Sequence, residues 1–125
     1  MDINKISGLI IEAAMKVHSA LGPGLLESAY ESCLIHELHK MGLAVVSQMA
    51  LPVFYDGINI DIGYRVDLMV ESSIIVELKA IEKILPIHEA QLLSYLKLSK
   101  KSLGLLVNFN VVHLKDGIKR IANGL

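Results

Sequence analysis

The sequence predicts a single α/β domain: a mixed sheet with helices packed on both faces. Three observations lead there. Two apolar stripes at helical spacing open the chain, extended segments fill its middle, and a helical stretch separates the last two predicted strands. The length of 125 residues suits one core and is too short for two comfortable ones.

Each element follows from local pattern. In residues 4–20, Ile6, Leu9, Ile10, Ala13, Ala14, Val17 and then Leu21 recur at spacings of three and four, which makes one apolar face. That face can pack on the sheet or on a second subunit, and the pattern does not choose. Gly22-Pro23-Gly24 ends this helix. A second helix is predicted over 25–41, with Leu26, Tyr30, Cys33, Leu34, Leu38 and Met41 inward and Gly42 as its stop. The period then changes. Residues 44–55 read as extended, and Pro52 marks an edge or an irregular stretch. Asp56-Gly57 is a turn signal, and 59–70 is a second, bent extended segment. Glu71-Ser72-Ser73 turns the chain into a third strand, 74–81. Pro86 opens a helix over 87–98 with Leu92, Tyr95 and Leu96 inward. Residues 103–109 form a buried strand, Asp116-Gly117 a turn, and a last short helix is expected from Gly117.

Composition narrows the function. Hydrophobic residues make up 53% of the chain and aromatic ones 5%, so the core must be aliphatic. A formal net charge of −1 is not that of a broadly basic nucleic-acid binder, which leaves only a local patch for that role. The single cysteine, Cys33, excludes an internal disulfide and points to a reducing, cytoplasmic setting, where it reads as a packed thiol. His18, His36, His39 and His113 are scattered and read as surface or packing residues, with no zinc spacing. His88 reads as a solvated first-turn residue of its helix. Gly22-Pro23-Gly24 lacks the lysine of a phosphate loop. No apolar run approaches a membrane span, and Asp2 and Glu12 are unlike a signal peptide.

The segment YRVDLMVESSIIVELKA carries the chemistry. Successive side chains of a strand alternate between faces. Arg65, Asp67 and Met69 therefore share one face of their strand, and Ile75, Glu77, Lys79 and Ile81 one face of the next. A hairpin around Ser72 pairs Val70 with Ile74, Met69 with Ile75 and Asp67 with Glu77. Two carboxylates then stand about 5 Å apart at Cβ, a destabilising pair unless something offsets it. Lys79 follows one pleat, roughly 7 Å, along the strand. A divalent cation would offset the repulsion, and a lysine beside it could meet charge on a phosphate. The same residues also read as a surface salt-bridge cluster, and a one-residue slip would separate the carboxylates. Arg65 shares this face and is the better phosphate candidate. Lys97, Lys100 and Lys101, and Lys115, Lys119 and Arg120, form weaker basic groups that also read as solvated faces.

Asp67 followed after nine residues by Glu77-x-Lys79 resembles the split acidic motif of the PD-(D/E)XK nuclease superfamily. GPGLLESAY resembles the motif that names the GxxExxY family within it. HEAQLLSYL resembles its glutamine-bearing helix, and GLLVNFNVVHLKDGIKR its C-terminal strand and tail. The resemblance spans 17–120, with no acidic or lysine position substituted. It implies a restriction-endonuclease-like core (α-β-β-β-α-β) preceded by an extra N-terminal helix. It implies a Mg²⁺ (or Mn²⁺) site at Asp67, Glu77, the carbonyl of Leu78 and Glu27, with Lys79 orienting water or stabilising the phosphate. It places Gln91 and Tyr95, one turn apart on one helix face, along the same site. The implied reaction is metal-dependent hydrolysis of a phosphodiester, in DNA first. The alternative is a non-catalytic module that binds nucleic acid or protein through the same fold. Small size and modest charge favour a homodimer.

Overall fold

The computed structural model describes residues 1–125. Helix α1 (Ile3–Leu21) begins where Asp2 accepts the Asn4 N–H at 2.7 Å and ends at Gly22, whose φ of 68° favours glycine. Helix α2 is Glu27–Lys40. Five strands follow: β1 (Val45–Ala50), β2 (Val53–Tyr55), β3 (Ile58–Ile60), β4 (Arg65–Val70) and β5 (Ile74–Lys79). Helix α3 (Pro86–Ser99), β6 (Leu103–Asn108), a 3-10 turn (Leu114–Gly117) and β7 (Ile118–Ala122) complete the chain.

The main sheet has the order β1-β4-β5-β6-β7, and β2-β3 form a separate two-stranded hairpin. Only β5 and β6 are parallel, and α3 supplies the crossover that such a pair needs. The expected mixed sheet with helices on both faces is present, and it fits a restriction-endonuclease-like fold preceded by an extra helix. Residues that alternate along β4 and β5 divide the core. Leu68, Val70, Ile74, Val76 and Leu78 pack with Ile6, Ile10, Ala13 and Ala14 of α1 and Leu34 and Leu38 of α2. Met69 and Ile75 pack instead with Leu92, Tyr95 and Leu96 of α3. The stripe of α1 therefore packs on this chain's own sheet. Gly104 lets α3 close on β6, because a Cβ there would lie 2.9 Å from Leu92.

Two expectations need correction. The chain after Gly117 is strand β7, paired antiparallel to β6, and not a helix. The bent segment before Val70 splits into β3 and β4 around residues 61–64, so the hairpin β2-β3 stands apart from the main sheet. Within that hairpin Asp56 and Gly57 both take positive φ (51° and 74°), as a tight two-residue turn requires.

Candidate functional site

The hairpin register is the one that the alternation predicts: Leu68 opposes Val76, Met69 opposes Ile75 and Val70 opposes Ile74. One step further, regular backbone pairing stops and the side chains of Asp67 and Glu77 take over. The Asp67 N–H donates to Glu77 Oε2 at 2.7 Å, and the Leu78 N–H donates to Asp67 Oδ2 at 2.8 Å. Each carboxylate thus satisfies a backbone donor on the opposite strand. This reciprocal seating fixes both side chains on rigid elements and keeps them adjacent.

The pair is electrostatically costly. Glu77 is only 6% exposed. Burial first, and then the Asp67 charge, push its carboxyl up to about 7, and Glu31 adds to the rise. The bond from the Asp67 N–H and the charge of Lys79 oppose the shift only in part. Lys79 is half-buried and makes no ion pair with either acid; both salt bridges of the chain go to Glu37, from Lys16 and Lys40, each at 3.5 Å. The salt-bridge reading of Asp67, Glu77 and Lys79 is therefore not what the structure contains.

The end of β5 is clamped from two sides. Glu27, at the start of α2, accepts the Ala80 N–H at 3.1 Å through Oε2. The buried Asn108 side chain accepts the Ile81 N–H at 3.1 Å and donates to the Ile81 carbonyl at 2.9 Å. The Phe109 N–H donates to the Lys79 carbonyl at 2.9 Å. Together these bonds fix the backbone that carries Lys79. Tyr30 is entirely buried and stacks on Phe109, with centroids 4.4 Å apart. Its hydroxyl donates to the Gly22 carbonyl at 2.5 Å and accepts the Leu25 N–H at 3.1 Å. The tyrosine thereby holds the loop that delivers Glu27.

Sequence reasoning missed two residues of this network. Gln48 donates through Nε2 to Glu31 Oε1 at 2.9 Å and to Asp67 Oδ1 at 3.4 Å. It links a second acid of α2 to the pair. Glu31 lies four residues after Glu27, on the same helix face, and that spacing was the available signal. Gln48 gave none, because its φ of 52° inside β1 breaks the strand pattern.

The remaining predicted residues fall into three groups. Tyr95 is buried in one cluster with Met69 and Ile75, each two residues along its strand from Asp67 or Glu77, and its hydroxyl is shifted upward by burial, then by Glu77, Tyr64 and Asp67. Gln91, one turn earlier on α3, is exposed. Arg65 is exposed and donates to the Gln48 carbonyl at 3.1 Å. Lys97, Lys100 and Lys101 belong to the other end of α3, where Lys101 lines a cavity with Ser72 of the β4–β5 turn, away from Lys79. His88 accepts the Leu85 N–H through Nδ1 at 2.9 Å, so it caps its helix. His18 is a packed residue, its Nε2 2.8 Å from the Val111 carbonyl.

The carboxylates of Glu27, Asp67 and Glu77 do not gather around one point, and no group of three or more His, Cys, Asp or Glu is arranged to hold a metal. Glu27, the third acid expected from the sequence, gives its Oε2 to the Ala80 amide. Asp67 and Glu77 by themselves suit a hard divalent cation, which is commonly held by one or two carboxylates plus water. Each leaves an oxygen that no backbone donor engages, Asp67 Oδ1 and Glu77 Oε1.

No helix is long and apolar enough to cross a membrane. A search of curated proteins and a search of solved structures return no match. A family model described as the PD-(D/E)XK nuclease superfamily matches residues 4–121. With nearly its whole length matched, and with Asp67, Glu77 and Lys79 on adjoining strands, the chain belongs to the PD-(D/E)XK nuclease superfamily.

Proposed function

We propose that this protein hydrolyses phosphodiester bonds in nucleic acid, DNA first, at a Mg²⁺ or Mn²⁺ site made by Asp67 and Glu77. The observation that carries the reading is the acid pair itself. Two adjacent carboxylates, one of them buried, have no cation in ion-pair contact and are held in place by each other's strand. A fold stabilises such a pair poorly without a use for it.

When bound, the cation would polarise a phosphoryl oxygen and lower the pKa of a water. Asp67 Oδ1, Glu77 Oε1 and the carbonyl of Leu78 are the ligands we assign. Lys79 orients the attacking water and meets negative charge as it develops on the phosphate. Glu27 acts as a positioning residue through the Ala80 amide, and Gln48 with Glu31 orients Asp67. Tyr95 borders the acids, Gln91 faces the substrate from the exposed side of α3, and Arg65 takes a phosphate. Lys97, Lys100 and Lys101 reach only a substrate that runs the length of α3. The spacing of Gly24, Glu27 and Tyr30 supports a place in the GxxExxY group, and a homodimer would give the protein the grip on a long substrate that one small subunit lacks.

A non-catalytic binding module is the second reading, favoured by Glu27 Oε2, which is taken up by the Ala80 amide. Cleavage of labelled duplex, single-stranded and branched DNA with Mg²⁺ or Mn²⁺ separates the two. Wild type should cut only with metal, and Lys79→Ala should lower the rate by about 10²–10³-fold. Folded wild type that cuts none of these substrates leaves the binding module.

A further inference from the structure

A cavity of about 300 Å³ lies between the end of β1 and the bend that leads into β4. Leu51 and Pro52 form its apolar wall, and Asn59, Asp61, Tyr64 and Arg65 bring a ring, an amide, a carboxylate and a guanidinium to it. That volume is at the small end of ligand pockets. Its lining combines a π-face with a few convergent polar groups, which is how proteins read an unstacked base.

The cavity adjoins the acid pair. The Tyr64 ring centroid is 6.0 Å from that of Tyr95, which packs in one cluster with Met69 and Ile75, each two residues along its strand from Asp67 or Glu77. Tyr64 stands on fixed backbone, since its carbonyl accepts the Leu51 N–H at 2.8 Å. Arg65 is tied to Gln48, whose side chain reaches Asp67. The aromatic residues are also unevenly placed. The chain has four Tyr and two Phe. Tyr30 and Phe109 stack in the core and Tyr95 is buried, while Phe54, Tyr55 and Tyr64 are 63%, 71% and 42% exposed, all within residues 54–64, and Tyr64 lines this cavity.

We infer that this cavity binds an unpaired nucleobase of the substrate strand, with the ring against Tyr64, its polar edge on Asn59 and Asp61, and the adjoining phosphate on Arg65. The inference rests on the phosphodiesterase reading for the choice of ligand, and it narrows the substrate to single-stranded or branched nucleic acid, because a base paired and stacked in a duplex cannot enter. Asp61 accepts hydrogen bonds only; the one edge donor of thymine and uracil, N3–H, lies between two carbonyl oxygens that a carboxylate repels, so Asp61 favours bases that carry an exocyclic amino group. The same carboxylate keeps a phosphate out of the cavity and leaves it to Arg65. A second copy of the chain fits less well, since an apolar cover would bury Asp61 and Arg65 away from water.

Fluorescence anisotropy with labelled single-stranded dA, dC and dT oligomers and a duplex, without divalent cation so that cleavage is absent, tests the inference. Wild type should bind dA and dC more tightly than dT or duplex. Tyr64→Ala should weaken dC binding by about 5- to 150-fold, the range of one lost base stack, while Tyr64→Phe retains it. Asp61→Asn should reduce the preference for dC over dT. Equal binding of dC by folded Tyr64→Ala and wild type overturns the cavity and leaves metal-dependent cleavage untouched. Tyr64-dependent binding with no cleavage in the metal assay supports the cavity and removes the catalytic reading. A wild type that binds no oligomer, or a dimer that Tyr64→Ala dissolves in its place, overturns the inference.

Discussion

Tyr30 shows how one side chain can support a site without touching it. Its ring belongs to the core on Phe109, and its hydroxyl ties down both ends of the loop from Gly22 to Leu25. Glu27 follows that loop and enters the first turn of α2, where a carboxylate is also favoured by the helix dipole. The spacing of Gly24, Glu27 and Tyr30 was legible in the sequence, but its division of labour was not. Glu27 read as a metal ligand, and its Oε2 also holds the Ala80 amide; Tyr30 read as packing near Glu27, and it also locks the preceding turn. Both partners lie far along the chain or on backbone atoms, which side-chain patterning does not reach. Tyr30→Phe should keep the stack and lose two hydrogen bonds. Urea denaturation should show it about 1–2 kcal/mol less stable than wild type, with cleavage reduced through the displaced loop.

At the scale of elements, the β4–β5 hairpin was readable because its apolar residues alternate and its turn is polar. Val70, Met69 and Leu68 find the partners that the pattern gives them. The strand at 118–122 was not readable. Its edge position leaves only Ile118 and Ile121 partly buried and the rest exposed, a spacing that mimics a helix, and pairing with β6 decides the outcome. The hairpin also predicts a pH response. Glu77 has a folded pKa of about 7 against an ordinary 4.5. Between those values the folded state binds more protons than the unfolded state, so stability falls as pH rises. The contribution is fully present below 4.5 and is lost as pH passes through about 7. Without metal, the melting temperature should therefore fall between about pH 5 and pH 8. Glu77→Gln keeps an oxygen for the Asp67 N–H and removes the buried charge. It should flatten this fall and be more stable than wild type at pH 8, by about 1–2 kcal/mol, while it loses cleavage.

For the molecule as a whole, the sheet separates two tasks. Helices α1 and α2 and the larger core lie on one face, and α2 sends Glu27 and Glu31 to the strand ends that carry the acids. Helix α3 covers the other face and brings Tyr95 to the same place. The separate β2-β3 hairpin carries the exposed Phe54 and Tyr55. Membership of the nuclease superfamily agrees with this layout, and the two acids and the lysine that carry the resemblance occupy the adjoining strands β4 and β5. The most direct test is calorimetric titration of Mn²⁺ at pH 8, above the Glu77 value of about 7, into wild type and Asp67→Ala. The account predicts saturable binding by wild type that Asp67→Ala abolishes. Equal heats in the two proteins, or a folded wild type that takes up no ion, would contradict it.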